Sequence, residues 1–410
     1  MSKSRVITGL DIGTSSIKVL SVSCEQDGAI QVLGQATEPC LGVRRGVVVE
    51  PDEVAEKISL AIQRVESAIS KKITNVNVNI SGSHLFVMPS HGEVAVSRAD
   101  QKISKEDVDR ALSAARAFPL PHNREILDVF IKSFSVDNEK NIKEVLGMQG
   151  VKLEADILAM GAFSPYYNNL LSAVASAGLK IDENGVVPSA LASAEAVLSL
   201  KEKEEGVAIL DIGGGASDLA VFEERDLIHL FVAPIGSCHI TNDIALGLKI
   251  DVETAEKIKR EFGSCVSIRA SGSSKKQKQK IEIGDEAEKL VFSPKTVATI
   301  IEARVEEIFE QVEKELKKIS RAGLLPGGIV LVGGGSKLPG IADFAKKKLK
   351  LPSKLGRIKE GFGGLQSDPS LATVCGLVLA GLENEEEGTS RSPVKGAFSR
   401  IKKLFRIFIP

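Results

Sequence analysis

Two stretches decide the fold: "LDIGTSSIKVL" at residues 10–20 and "LDIGGGASDLAV" at residues 210–221. Each is an apolar strand, then Asp-Ile-Gly, then small residues, then a second strand. The two are internal copies of one device. Glycines and small hydroxyl residues in a tight hairpin let backbone N–H groups approach anionic oxygens. An Asp at the strand end can hold a hydrated divalent cation over them. Two such hairpins facing each other would clamp a polyphosphate from both sides. A single Asp-x-Gly at a strand end is commonly only a turn, so the pairing carries the reading. A third element, "GGIVLVGGGSKLPGI" (327–341), repeats the strand and glycine turn without the acid. A glycine platform of that kind suits a flat base or a ribose better than a phosphate. No GxGxxG follows a first strand and no GxxxxGK[ST] occurs, which argues against a dinucleotide fingerprint and a P-loop.

The chain around these elements has 410 residues. That suggests two or three domains, because single cores stop growing beyond about 250–300 residues. Only two tyrosines and no tryptophan are present, so a sizeable core must be mostly aliphatic. A formal net charge of −1 rules out a globally basic nucleic-acid binder, and no nucleic-acid partner is expected. The five cysteines, Cys24, Cys40, Cys238, Cys265 and Cys375, are scattered and form no CxxC pair. That spacing fits a reducing cytoplasm rather than a disulfide framework or a zinc site. The start, "MSKSRVITGLDIG", carries no apolar signal segment. No uninterrupted apolar run approaches the ~20 residues needed to span a bilayer.

Periodicity supplies the remaining elements. "IKVLSVS" and "IQVLGQA" continue a meander from the first strand, and 51–69 reads as a helix opened by Pro and Asp. "VNVNISG" alternates as a strand. Residues 83–160 are mixed: strands at "LFVMPS" and "GEVAVS", a helix from Ser104 with capping-box-like spacing to Asp107, then two long strands. Helices are expected at 164–179, 189–200, 251–263, 293–319 and 369–383. "KEKEEG" (201–206) reads as a turn, "SGSSKKQKQK" (271–280) as a basic mobile loop, and "NEEEGTSRSPVK" (384–395) as a flexible linker. His84, His91, His229 and His239 lack the neighbours that would make them metal ligands.

Two phosphate-type hairpins followed by "VGGGSKLPG" resemble the actin, Hsp70 and sugar-kinase superfamily. The position of the 83–160 insert, with "ISGSH", "ALASAEAVL" and "IIEARVEEIFEQV", resembles the FtsA family, bacterial cell-division homologues of actin. The resemblance implies an α/β, actin-like two-lobed fold with mixed five-stranded sheets. A first-lobe core would comprise 1–82, 163–193 and 369–383, interrupted by a small α+β insert subdomain at 83–162. A second lobe would comprise 194–368. A linker at 384–395 and a C-terminal amphipathic helix at 396–410 would follow.

The resemblance also implies ATP and Mg2+ in the interlobe cleft. Matched motif by motif, Gly13, Thr14, Ser15, Ser16 and Lys18 would surround the β- and γ-phosphates. Gly213, Gly214 and Gly215 would oppose them. Asp11 and Asp211 would hold the magnesium through water. Glu256, Lys259, Gly333, Gly334, Gly335 and Ser336 would line the adenosine. Glu256 and Lys259 also read as a simple i, i+3 surface pair. The glutamine or glutamate that orients water in actin-type ATPases is missing where Pro188 and Ser189 stand. Glu195 lies further along and reads better as a solvated or hinge-packed carboxylate than as a catalytic one. Binding of ATP is therefore better supported than turnover.

The tail "GAFSRIKKLFRIFIP" (396–410) is apolar and basic at once. Plotted as a helix, Phe398, Ile401, Leu404, Phe405, Phe408 and Ile409 share an arc of about 140°, while Arg400, Lys402, Lys403 and Arg406 occupy the rest. Ile407 alone falls on the polar side. Such a helix lies in a membrane interface, with aromatics in the acyl boundary and bases on anionic headgroups. A helix docked back on the protein's own body is the competing reading. The resemblance implies peripheral attachment to the cytoplasmic membrane face at the division site. It also implies three kinds of partner: the tubulin-like FtsZ, copies of the chain itself in filaments, and other division proteins at the insert. A PilM-like pilus platform and a small-molecule kinase of the same superfamily are the alternatives.

Overall fold

The computed structural model describes residues 5–24, 29–265, 281–283 and 290–389. The basic loop expected at 271–280 and the amphipathic helix expected at 396–410, with every membrane-facing residue named on it, lie outside the described residues.

Strands β1 (Arg5–Ile12), β2 (Ser16–Cys24) and β3 (Ile30–Pro39) form the expected meander, followed by a small hairpin, β4 (Val43–Arg44) and β5 (Val47–Val48). Helix α1 (Pro51–Ile69) opens on proline and buries Val54, Ile58, Ala61, Ile62 and Val65 at helical spacing. Strand β6 (Asn75–Ile80) then enters the sheet parallel to β1. The insert follows: β7 (Phe86–Ala95), α2 (Lys105–Arg116), β8 (Arg124–Val136), β9 (Glu139–Ile142) and β10 (Lys152–Phe163). Helix α3 (Ser164–Ser176), β11 (Lys180–Pro188), α4 (Ser189–Val197) and α5 (Leu200–Glu205) lead out of the first lobe. The second lobe holds β12 (Val207–Ile212), β13 (Ser217–Glu223), β14 (Asp226–Ala233), α6 (Ser237–Leu248), α7 (Val252–Phe262), β15 (Ile281–Ile283), β16 (Leu290–Phe292), α8 (Pro294–Lys318), β17 (Ile329–Val332), α9 (Ile341–Leu349) and β18 (Ser353–Leu355). Helix α10 (Ala372–Thr389) returns to the first lobe, where it packs on β1 and α4.

The duplication read in the sequence is a duplication of topology. One sheet runs β11-β6-β1-β2-β3, and the other runs β18-β17-β12-β13-β14. In each, an antiparallel hairpin sits beside a parallel strand. The insert has its own sheet, β7-β10-β8-β9, with α2 across it. The capping box at Ser104 and Asp107 is present in full.

Three local expectations change. "LFVMPS" and "GEVAVS" form one strand, β7, because Gly92 does not break it. A Cβ there would lie 2.1 Å from the Ala115 nitrogen, so the glycine lets α2 cross close to the strand. Residues 201–205 of "KEKEEG" belong to helix α5 rather than to a turn. Ser199 and Glu202 cap it reciprocally, which overrides the charge run. Finally, 384–389, read as the start of the linker, continue α10.

α4 and α10 cross between the lobes at very short range. A Cβ on Gly376 would lie 1.7 Å from the Ala192 carbonyl oxygen. Ala190, Ala192, Ala194 and Ala196 are fully buried at this crossing, so small residues set the helix separation.

Candidate functional site

Both hairpin turns close in the same way. Gly13 N donates to Ser16 O at 3.1 Å, and Gly213 N donates to Ala216 O at 2.9 Å. The turns abut across the interlobe cleft. A Cβ on Gly214 would lie 2.2 Å from Ser15 Oγ, and one on Gly215 2.7 Å from Thr14 Oγ1. Side chains at either glycine would push the hairpins apart.

The cleft measures about 1470 Å³. Asp11, Gly13, Thr14, Ser15, Ser16 and Lys18 line it from the first lobe, and Asp211, Gly213 and Gly214 from the second. Glu256, Lys259, Gly333, Gly334 and Gly335 line it as well. Two expected residues stand behind the wall. Gly215 supports Thr14 and the Arg45 backbone, and the buried Ser336 hydroxyl donates to Gly333 O at 2.7 Å. Glu195 is not on the wall either, since Lys203 Nζ holds its carboxylate at 2.6 Å. The Glu195 carboxylate is engaged by Lys203, away from the cleft wall.

The two hairpins differ in charge at one position. In each, the residue seven after the Asp faces it across the ladder: Lys18 opposite Asp11, Asp218 opposite Asp211. Lys18 Nζ donates to Asp11 Oδ2 at 2.7 Å. Burial works against the Lys18 charge, but Asp11, with Asp211 and Asp368 further off, holds its pKa above the ordinary lysine value. Burial pushes Asp211 up, opposed by the hydroxyls of Ser193 and Thr373, which each donate to its Oδ2 at 2.7 Å. Those donors come from α4 and the start of α10, so the interlobe helices fix the second hairpin's acid. Burial and the neighbouring Asp211 push Asp218 well above the usual carboxylate range. Ser81, just past β6, donates to both Asp218 oxygens at 2.7 and 2.9 Å, a bond from one lobe to the other.

Glu256 and Lys259 are more than a surface pair. Lys259 is buried, with Nζ 2.6 Å from Glu256 Oε2, 2.8 Å from Thr241 Oγ1 and 3.2 Å from Ser237 O. Burial alone would raise the Glu256 pKa, but Lys259 and Thr241 hold it below the ordinary value. The pair is a fixed polar wall, with one more cation, Arg260, outside it at 2.8 Å. Gly333 has φ +82 and sits where a Cβ would meet Asp211 Oδ1 at 2.2 Å, and Gly334 faces open space. The glycine platform therefore reaches the second hairpin directly.

Sequence reasoning missed Asp218, Ser81, Asn79, Ser193 and Thr373. Asn79 Oδ1 accepts from Ile12 N at 2.6 Å and braces the first hairpin. Only Asp218 had a legible signal, its seven-residue offset from Asp211 matching that of Lys18 from Asp11.

Known proteins place this architecture. A family described as "Cell division protein FtsA" matches residues 208–376, and one described as "SHS2 domain inserted in FTSA" matches 82–160. The cell division protein FtsA of Pseudomonas aeruginosa is 33% identical over 397 residues, covering 96% of this chain and 94% of that protein. FtsA of Bacillus subtilis is 33% identical over 384 residues, covering 94% and 85%. Among solved structures, a PilM–PilN type IV pilus biogenesis complex aligns with a TM-score of 0.64 at 19% identity, covering 92% of this chain and 98% of the other. MreB5 of Spiroplasma citri bound to ADP aligns at 0.58 and 14%, covering 94% and 99%. The structural likenesses establish an actin-like fold, and the sequence relatives establish that this chain belongs to the FtsA family of cell-division proteins.

Proposed function

We propose that this chain is an ATP-binding cell-division scaffold that tethers an FtsZ-like tubulin homologue to the inner face of the cytoplasmic membrane. The abutting of two equivalent glycine hairpins across one cleft carries this reading. Gly13, Thr14, Ser15, Ser16 and Lys18 take the β- and γ-phosphates, faced by Gly213 and Gly214, with Gly215 and Ser336 as supports. Lys18 and the hydroxyls of Ser193 and Thr373 bond Oδ2 of Asp11 and Asp211. Asp11 and Asp211 would then hold a hydrated Mg2+, which would supply charge neutralisation at the phosphates. Glu256, Lys259 and the Gly333–Gly335 platform take the ribose and base. The cleft exceeds the ~300–1,000 Å³ of ordinary ligand sites, so a nucleotide fits with its hydration.

Turnover is slow in this reading, and nucleotide state acts on self-association into filaments. The 396–410 segment anchors the chain on anionic lipid, at the division site. The insert receives other division proteins. The likeness to the PilM complex is one of fold and carries no pilus function to a chain 33% identical to cell-division relatives.

Equilibrium titration with a fluorescent ATP analogue and Mg2+ tests the nucleotide site. Gly214→Val should weaken binding at least about tenfold, or ~1.4 kcal/mol, by forcing Ser15 away. Saturable binding that Gly214→Val leaves unchanged, or no binding by the wild type, contradicts the reading.

A further inference from the structure

The insert grows from the first lobe but does not pack on that lobe alone. β14, the edge strand of the second lobe's sheet, lies against β7 and β8. Leu158 and Met160 of β10 are buried in one apolar cluster with Phe222, Leu227 and Leu230 of the second lobe. Lys143, one residue past β9, pairs with Asp226, whose side chain is only 12% exposed, and approaches Glu224 at 3.9 Å. This is a charged anchor at the rim of an apolar contact.

The insert's other end is tied to the cleft. Ser81 bonds Asp218 across the lobes. Gly82 follows at φ +112, where a Cβ would meet Val47 Cγ2 at 2.6 Å and His84 Nδ1 at 2.7 Å. The His84 ring stands edge-on to Tyr166 of α3, 5.3 Å between centroids. The root of the insert is therefore wedged between the cleft floor and the helix that follows the insert.

A body fixed to both lobes cannot keep both attachments unchanged while the lobes move. Packed interiors shift between discrete arrangements rather than stretch. We propose that the insert is an interlobe brace, so that its seating on β14 reports whether the cleft is closed. Binding in the cleft and binding of a partner protein on the insert are then coupled. Linkage makes the coupling reciprocal: each ligand changes the other's affinity by the same factor. The inference rests on the proposed nucleotide site for its trigger, but the brace itself exists without nucleotide.

Hydrogen exchange on the full chain tests it, with and without Mg2+ and a non-hydrolysable ATP analogue. In the wild type, the analogue should slow exchange in both hairpins and also in the insert strands facing β14, about fivefold or more. Lys143→Ala, far from the cleft's ligand groups, should keep the hairpin response and lose the insert response. The swap Lys143→Asp with Asp226→Lys should restore it, which a general loss of structure would not. An insert that ignores the analogue while the hairpins respond, or that responds equally in Lys143→Ala, overturns the brace. If neither hairpin responds, the nucleotide reading fails instead. The ligand-free comparison then decides the brace: Lys143→Ala must speed exchange in both β7–β8 and β13–β14, and no change refutes it.

Discussion

Replacing Gly376 by alanine sets two effects of opposite sign against each other. On an open helix, glycine to alanine gains about 1 kcal/mol from backbone entropy and helix propensity. Gly376 is not open: a Cβ would lie 1.7 Å from the Ala192 carbonyl oxygen. Ordinary contact requires α4 and α10 to separate by more than 1 Å. That gap forfeits a quarter to half of the dispersion energy along their crossing. Overpacking of this kind costs about 1–3 kcal/mol, and so short a contact belongs at the upper end. The propensity gain offsets part of it, leaving about 2 kcal/mol of net destabilisation. For a chain of this size that lowers the melting temperature by about 2–3 °C. The same helices carry Ser193 and Thr373 to Asp211, so nucleotide affinity should fall together with stability. Gly364→Ala is the control, because nothing lies within 4 Å of its Cβ position. Thermal unfolding and nucleotide titration of both variants decide the matter. A Gly376→Ala protein that melts at or above the wild-type temperature would falsify the hinge-crossing argument.

Other expected outcomes follow from the same geometry. Asp218→Asn removes a buried negative charge while keeping its shape. The ligand-free chain should melt higher and bind Mg2+-nucleotide more weakly, and a variant that melts lower contradicts the assigned cost of burial. Lys259→Met leaves Glu256 and Thr241 without their shared donor, so titration should show about tenfold weaker nucleotide binding. Asp107 is a pH probe for the insert. Burial opposes its charge, but Ser104, Arg110 and the Ser97 N–H hold its carboxyl well below the usual range. The depressed folded pKa makes its contribution fully present above the unfolded value near 3.9 and lost as pH falls through the folded one. Insert exchange protection should therefore decline only below about pH 4. Asp107→Asn should weaken it by about 2 kcal/mol above about pH 4, and the difference from the wild type should vanish as the pH falls.

The parts of the fold legible in the sequence were those written in local pattern. The Asp-Ile-Gly hairpins, the α1 period and the Ser104 capping box each carry their geometry within a dozen residues. The misread segments are those where a distant partner decides. Gly92 reads as a strand break until α2 is seen crossing it, and 201–206 reads as a turn until Ser199 and Glu202 cap a helix there. At the site, backbone-approach glycines and the Asp pair were visible because their chemistry is in the motif. Ser193 and Thr373 were not, because a hydroxyl in an alanine-rich helix gives no sign of which carboxylate it will meet 18 or 162 residues away. The seating of the insert on β14 is likewise a long-range contact with no local signature.

The proposed scaffold joins a nucleotide-clamping body to a membrane and to a tubulin-like polymer. Co-sedimentation of purified FtsZ with anionic vesicles, in the presence of Mg2+-ATP, tests it most directly. FtsZ should pellet with the vesicles when the full chain is present and remain in the supernatant when residues 396–410 are deleted. FtsZ recruited equally by the truncated chain, or a full chain that brings none down, would contradict it.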